Sequence, residues 1–292
     1  INEPNCTFQD ALRRTEQFRQ RKSIRTRRQR ILPAIGHGLS GVLPTTGAAI
    51  TVSRSFSVAI MGVVIDSMWN GFDIYNMANT ITITDSFILN VYGPYGVRAG
   101  GKAAGERVDI LQIQRITTNN NRQGTNSSAI WIYIGSGCNT VRLDNVGLIN
   151  GGVGVQMTSD VDNPAGVFPG RPLFLFANDL EIDFPTRNAV ELLRGEEVQM
   201  TNTYLQGGGT GTRGPIPSGF GTGLYVGPSW NSELIVSNTR IFGNSGPGIQ
   251  LSGGTQTVIS NNVITQNSIA AIGQSSGIAV DAGVQGFIIS NN

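Results

Sequence analysis

The chain has 292 residues, 39 of them glycine and only one histidine, His37, with 14% charged residues and a formal net charge of +2. That length fits one large domain or two ordinary ones, but so much glycine with so little charge argues against a helical enzyme and favours short strands joined by many turns. A single histidine also argues against Ser-His-Asp or His-metal chemistry.

The charge is unevenly placed. Residues 1–30 hold nine of the 21 Lys/Arg and three of the 19 Asp/Glu, which leaves twelve bases against sixteen acids in the rest. The run "RRTEQFRQRKSIRTRRQR" has no aromatic interleaving beyond Phe18 and no helix-turn-helix or zinc signature, so it reads as a solvated or inter-subunit face and no nucleic-acid partner is expected. Cys6 and Cys138 lack metal spacing and read as ordinary packed or turn residues; no metal site and no cofactor is expected. The longest apolar run, "SVAIMGVVI", breaks at Asp66, well short of the roughly 20 residues of a membrane span, and no secretory signal is visible. The absence of an initiator Met and the stop at "IISNN" suggest a processed or truncated chain.

From residue 48 onward one phrase returns. Gly71-Phe-Asp-Ile-Tyr75, Gly96-Val-Arg-Ala-Gly100, Ala129-Ile-Trp-Ile-Tyr133 and Gly154-Val-Gln-Met-Thr158 lead to Ala189-Val-Glu-Leu-Leu193. Gly223-Leu-Tyr-Val-Gly227, Gly248-Ile-Gln-Leu-Ser252 and Gly277-Ile-Ala-Val-Asp281 complete the column. A second column of bend residues runs through Asp85, Gln114, Asp144, Asn178, Asn202, Asn238, Asn261 and Asn291. Both repeat irregularly in the twenties to thirties, without helical patterns between the strands. That is the mark of a solenoid whose units each need a neighbour to bury an apolar face. Asn and Asp tolerate the left-handed conformation that a sharp bend between strands requires, and stacked amides can pair in ladders. Each repeat therefore reads as three short strands. The inward ladder is Phe72/Ile74, Val97/Ala99, Ile130/Ile132, Val155/Met157, Val190/Leu192, Leu224/Val226, Ile249/Leu251 and Ile278/Val280.

These columns resemble the right-handed parallel β-helix of the pectate-lyase-like superfamily. The opening segments "TFQDALRRTEQF", "RILPAIGHGLSG" and "AITVSRSFSVAIMG" are most like phage tailspikes and related polysaccharide depolymerases. The resemblance implies an all-β fold, a single-stranded right-handed parallel β-helix of about eight coils over 48–292. It also implies that residues 1–47 carry the basic segment, an opening strand and a short capping helix, for which Thr7-x-x-Asp10 supplies a capping box. Family motifs also exclude. Gly36-His37-Gly38 resembles a polygalacturonase motif but precedes the coils, and no acidic pair accompanies it. Only Asp73 with Arg98 faintly suggests the calcium-and-arginine site of a pectate lyase.

On the Gly-x-x-x strand, the residues between the inward positions face outward. That column runs Asp73, Arg98, Trp131, Gln156, Glu191, Tyr225, Gln250 and Ala279, with Tyr133 in the next one. Trp131, Tyr133 and Tyr225 as flat rings, with Gln156 and Gln250 as polar handles, are what a sugar-binding face needs; β-propensity alone would also place aromatics on exposed strands. Three long insertions, "TNNNRQGTNSS", "SDVDNPAGVFPGRP" and "QGGGTGTRGPIPSGFGT", would wall a groove there.

Glycoside hydrolysis needs two carboxyls about 5 to 9.5 Å apart. With coils stacked about 4.8 Å apart, neither Asp281 nor Asp73 can reach Glu191. The candidate catalytic set is then Glu191 with Asp160 or Asp162; Glu196, Glu197 or a carboxylate from a neighbouring subunit are other routes. The sequence thus points to a tailspike-like protein that binds, and in the enzymatic reading cleaves, a bacterial surface polysaccharide by hydrolase or lyase chemistry. A homotrimer with other virion proteins as partners is expected, on a virion tail or outside the cell. A non-catalytic structural or adhesin β-helix and a microbial enzyme on plant or exopolysaccharide are the alternatives.

Overall fold

The computed structural model describes residues 45–101, 107–121, 125–159, 170–209, 221–270 and 277–292. The chain divides into two compact units, Ile1–Arg30 and Ile31–Asn292, and everything described belongs to the second. The expected capping helix lies outside the described residues.

The described residues form a right-handed parallel β-helix with no helical segment. One sheet stacks nine parallel strands: β1 (Ala48–Ser53), β4 (Asn70–Tyr75), β6 (Tyr95–Ala99), β8 (Ile130–Ile134), β10 (Val153–Met157), β12 (Val190–Leu192), β15 (Leu224–Val226), β18 (Ile249–Leu251) and β21 (Ile278–Val280). The second stacks β2 (Phe56–Met61), β5 (Asn79–Leu89), β7 (Val108–Asn119), β9 (Cys138–Ile149), β11 (Phe174–Asp183), β13 (Val198–Thr201), β16 (Leu234–Ser237), β19 (Thr255–Ser260) and β22 (Gln285–Ser290). A third face follows a bend. It is formed by β3 (Val64–Asp66), the C-terminal halves of β5, β7, β9 and β11, and then β14 (Tyr204–Gln206), β17 (Arg240–Phe242) and β20 (Val263–Thr265).

The bend is chemically legible. Asp85, Arg115, Asn145, Asp179, Asn202, Asn238, Asn261 and Asn291 all take positive φ, between 49° and 58°, the left-handed conformation that Asn and Asp reach at least cost. Asn202, Asn238 and Asn261 each follow residues paired in register (Thr201 with Ser237, Ser237 with Ser260), so they lie one above another. In three coils the expected column is one residue early. Gln114, Asp144 and Asn178 form a paired ladder just before the bend, and their successors turn the chain. Arg115, an unusual residue for this conformation, is tied to Asp85 by two hydrogen bonds of 2.6 and 3.0 Å.

The inward ladder stacks as expected, with Phe72, Val97, Ile132, Val155, Val190, Leu224 and Ile249 in one continuous register. All of them are buried in the core. The fourth rung differs by two residues: Ile132 and Ile134, not Ile130 and Ile132, pair with Val97 and Ala99. Cys138 is buried. Phe287 and Ile289 are exposed although their register partners Thr257 and Ile259 are buried.

Candidate functional site

The two-residue shift in β8 changes the first sheet's outer face. The outward ladder is Asp73, Arg98, Tyr133, Gln156, Glu191, Tyr225, Gln250 and Ala279, in register throughout. Trp131 is not in it. It falls level with Gly96 below and Gly154 above, is fully buried, and donates its indole N–H to the Ile149 carbonyl at 3.0 Å. A side chain at Gly96 would strike the Trp131 ring within 2.6 Å, and so would one at Gly151. The missing side chains are therefore the space the indole fills. The expectation that Trp131 and Tyr133 stand exposed as sugar platforms is corrected: Tyr133 is 3% exposed, its ring against Tyr95 with centroids 4.9 Å apart.

The polar members of this ladder are also largely spent on one another. Arg98 holds Asp73 through two hydrogen bonds of 2.5 and 2.9 Å. Glu191, expected to face solvent, is 1% exposed and accepts from Gln156 at 2.6 Å, Arg187 at 2.9 Å and Asn188 at 3.0 Å. Gln250 is 8% exposed and lies 3.4 Å from Ser252 Oγ and 3.5 Å from Asp281 Oδ2. Tyr225 is half-buried between Glu191 and Gln250. Asp160 and Asp162 lie outside the described residues, as do most of the long insertions. Among the described residues no group of three or more His, Cys, Asp or Glu gathers to hold a metal ion.

An open cleft of about 340 Å³ lies instead on the second sheet, where β9, β11 and β13 meet. Outward residues of these strands, Arg142, Asp144, Phe176, Asn178, Gln199 and Thr201, line it together with Gln114 of β7. The Arg142 guanidinium sits 5.4 Å from the centre of the Phe176 ring, and Phe174 runs parallel to that ring at 6.3 Å. Asn178 donates to Asp144 at 3.0 Å and accepts from Thr201 and Asn202 at 3.2 and 3.0 Å. Arg142 forms no ion pair among the described residues. The sequence reading missed this cleft because it followed only the glycine-led strand; the alternation Phe174, Phe176, Asn178 on β11 was the available signal.

Across the bend, β11 presents Glu181 and Asp183 on the third face. Burial holds the Asp183 carboxyl above its usual range, and the nearby Glu181 charge adds to this; burial likewise pushes the Tyr204 phenol up, with Asp183 adding and Arg240 opposing. Ionising Asp183 is thus harder in the folded protein than in the unfolded chain. Stability is lost as pH rises from the ordinary carboxylate range through the raised value. Asp183→Asn is expected to unfold at a higher temperature than the wild type at about pH 7 and at the same temperature at about pH 3, below the unfolded value. An equal gain at both pH values would assign it to another cause.

The comparisons agree with this architecture over part of its length. No curated protein and no solved structure matches the chain. Residues 176–292 match the family described as right handed beta helix region.

Proposed function

We propose that the protein binds polysaccharide on the outside of its β-helix, in the cleft formed by β9, β11 and β13. The observation that carries this reading is the cleft itself: an aromatic face at Phe176, a guanidinium at Arg142, and amides and a carboxylate within the same open volume. Flat rings take the apolar faces of sugars while amides, guanidinium and carboxylate satisfy the ring hydroxyls. Rungs stacked at a fixed spacing present such handles in a row, which suits a linear polymer better than a small ligand. The finer reading is a phage tailspike-like protein on a bacterial surface polysaccharide, a homotrimer on a virion tail or outside the cell. It is supported by the resemblance of the N-terminal segments and by the β-helix fold.

The test is binding to a panel of purified bacterial capsular and O-antigen polysaccharides, read by affinity electrophoresis. Phe176→Ala is expected to weaken binding by about tenfold, the value of one aromatic contact, and Arg142→Ala to weaken it comparably. Equal retardation of the wild type and both variants would move the site away from the cleft. No retardation on any glycan would favour a purely structural β-helix.

A further inference from the structure

We infer that the polysaccharide bound in the cleft carries isolated anionic sugars between neutral ones, and that Arg142 is the residue that selects them. This rests on the polysaccharide-binding reading above and adds to it the chemical class of the ligand.

Arg142 brings into the cleft a charge that no described residue pairs. Arg98, Arg107, Arg115 and Arg187 each hold a carboxylate of this chain. Arg142 is exposed and makes neither an ion pair nor a side-chain hydrogen bond among the described residues. What places it is a ring. Arg142 is the register partner of Phe176, and its guanidinium sits 5.4 Å from that ring's centre. Contact with a ring face leaves the N–H donors of the guanidinium available, and it restrains the side chain before any ligand arrives, so less freedom is lost on binding. The planar fork of donors matches the oxygen pair of a carboxylate or a phosphate. Such a charge-assisted pair is about twice as strong as a hydrogen bond between neutral groups. A sugar laid against Phe176 thus gains most from the guanidinium beside it when the sugar is anionic.

The surroundings of Arg142 oppose any further negative charge. Asp144 follows it on the same side of β9 and lines the same cleft, yet the two form no ion pair; Asp144 accepts from Asn178 at 3.0 Å instead. Glu197 is exposed on the next rung, where its carbonyl accepts from the Leu175 N–H, between Phe174 and Phe176. The rest of the polar lining is neutral: Gln114, Asn178, Gln199 and Thr201. One guanidinium flanked by Asp144 and Glu197 accepts one anionic group. A polymer charged at every sugar would set its next anion against a carboxylate, which costs affinity. Hydroxyl and acetamido N–H groups of neutral sugars can instead donate to Asp144 and pair with the amides. The anionic group is a sugar carboxylate or a phosphate monoester, which share the chemistry that Arg142 recognises.

The experiment takes the panel polysaccharide that the full chain binds most tightly and compares it, by affinity electrophoresis, with the same polymer after chemical reduction of its carboxyls and after hydrogen fluoride has removed its phosphates. One of the two treatments is expected to weaken binding about tenfold, the value of one charge-assisted pair; which one does so tells a carboxylate from a phosphate. Arg142→Gln is expected to bind the native polymer about tenfold more weakly and the neutralised polymer as the wild type does. Arg107→Gln, which removes the same charge outside the cleft, should match the wild type on both. Raising NaCl from about 50 to about 500 mM should weaken wild-type binding to the native polymer and change that of Arg142→Gln much less. Polygalacturonate, charged at every sugar, is expected to bind more weakly than the native polymer. A neutral polymer as the tightest ligand overturns the inference and leaves the binding reading standing. So does undiminished affinity after both treatments, an equal loss in Arg142→Gln on native and neutralised polymer, or polygalacturonate as the tighter ligand. Absence of binding to every glycan ends both.

Discussion

Replacing Trp131 with alanine is expected to lower stability by about 3–5 kcal/mol, the usual cost of emptying a large buried aromatic site, and to leave polysaccharide affinity unchanged. The indole is fully buried, its N–H is bonded to Ile149, and the glycines at 96 and 151 leave a space shaped to its ring. Alanine would leave that space empty between two rungs, and nothing nearby can collapse into it without moving backbone. Guanidinium unfolding and affinity electrophoresis on the same variant check both halves. A folded Trp131→Ala protein that has lost affinity would return the residue to the binding surface.

The second large effect is at Glu191. Removing its carboxylate leaves Gln156 and Asn188, both buried, and Arg187 without the acceptor they share. Glu191→Ala is expected to cost about 3 kcal/mol, the low end for breaking a buried ion pair, because Arg187 keeps 35% of its side-chain surface in water. Glu191→Gln should cost less, since the amide oxygen still accepts one of the three hydrogen bonds. The two variants also separate a structural Glu191 from one that contacts polysaccharide. A structural role predicts that Glu191→Gln, once folded, binds polysaccharide as the wild type does. Loss of affinity with wild-type stability would return Glu191 to the binding surface.

The errors in the sequence reading have physical causes. In "AIWIYI" every second residue is isoleucine, so sliding the strand by two positions keeps isoleucine inward. A one-residue slip turns a strand over; a two-residue slip leaves no trace in the pattern. What broke the tie is space: Trp131 fits only where its neighbours are glycine. At the bends, Asp144-Asn145 and Asn178-Asp179 each offer two adjacent residues that tolerate the left-handed conformation, and strand register chooses between them. Side-chain burial on the first sheet was hidden for a third reason. Alternation separates inside from outside, but it cannot show that outward residues on stacked rungs will satisfy and cover one another.

The sequence by itself determined that this chain winds into a parallel β-helix. Its glycine-led strands, aliphatic alternation and recurring bend residues are local preferences, repeated often enough that one stacked arrangement satisfies all of them. Only the tertiary structure decided which outward residues face solvent. That depends on neighbours on adjoining rungs, such as the Gln156 that closes over Glu191 from 35 residues away. The same stacking, which no single strand encodes, leaves the cleft at Phe176 open.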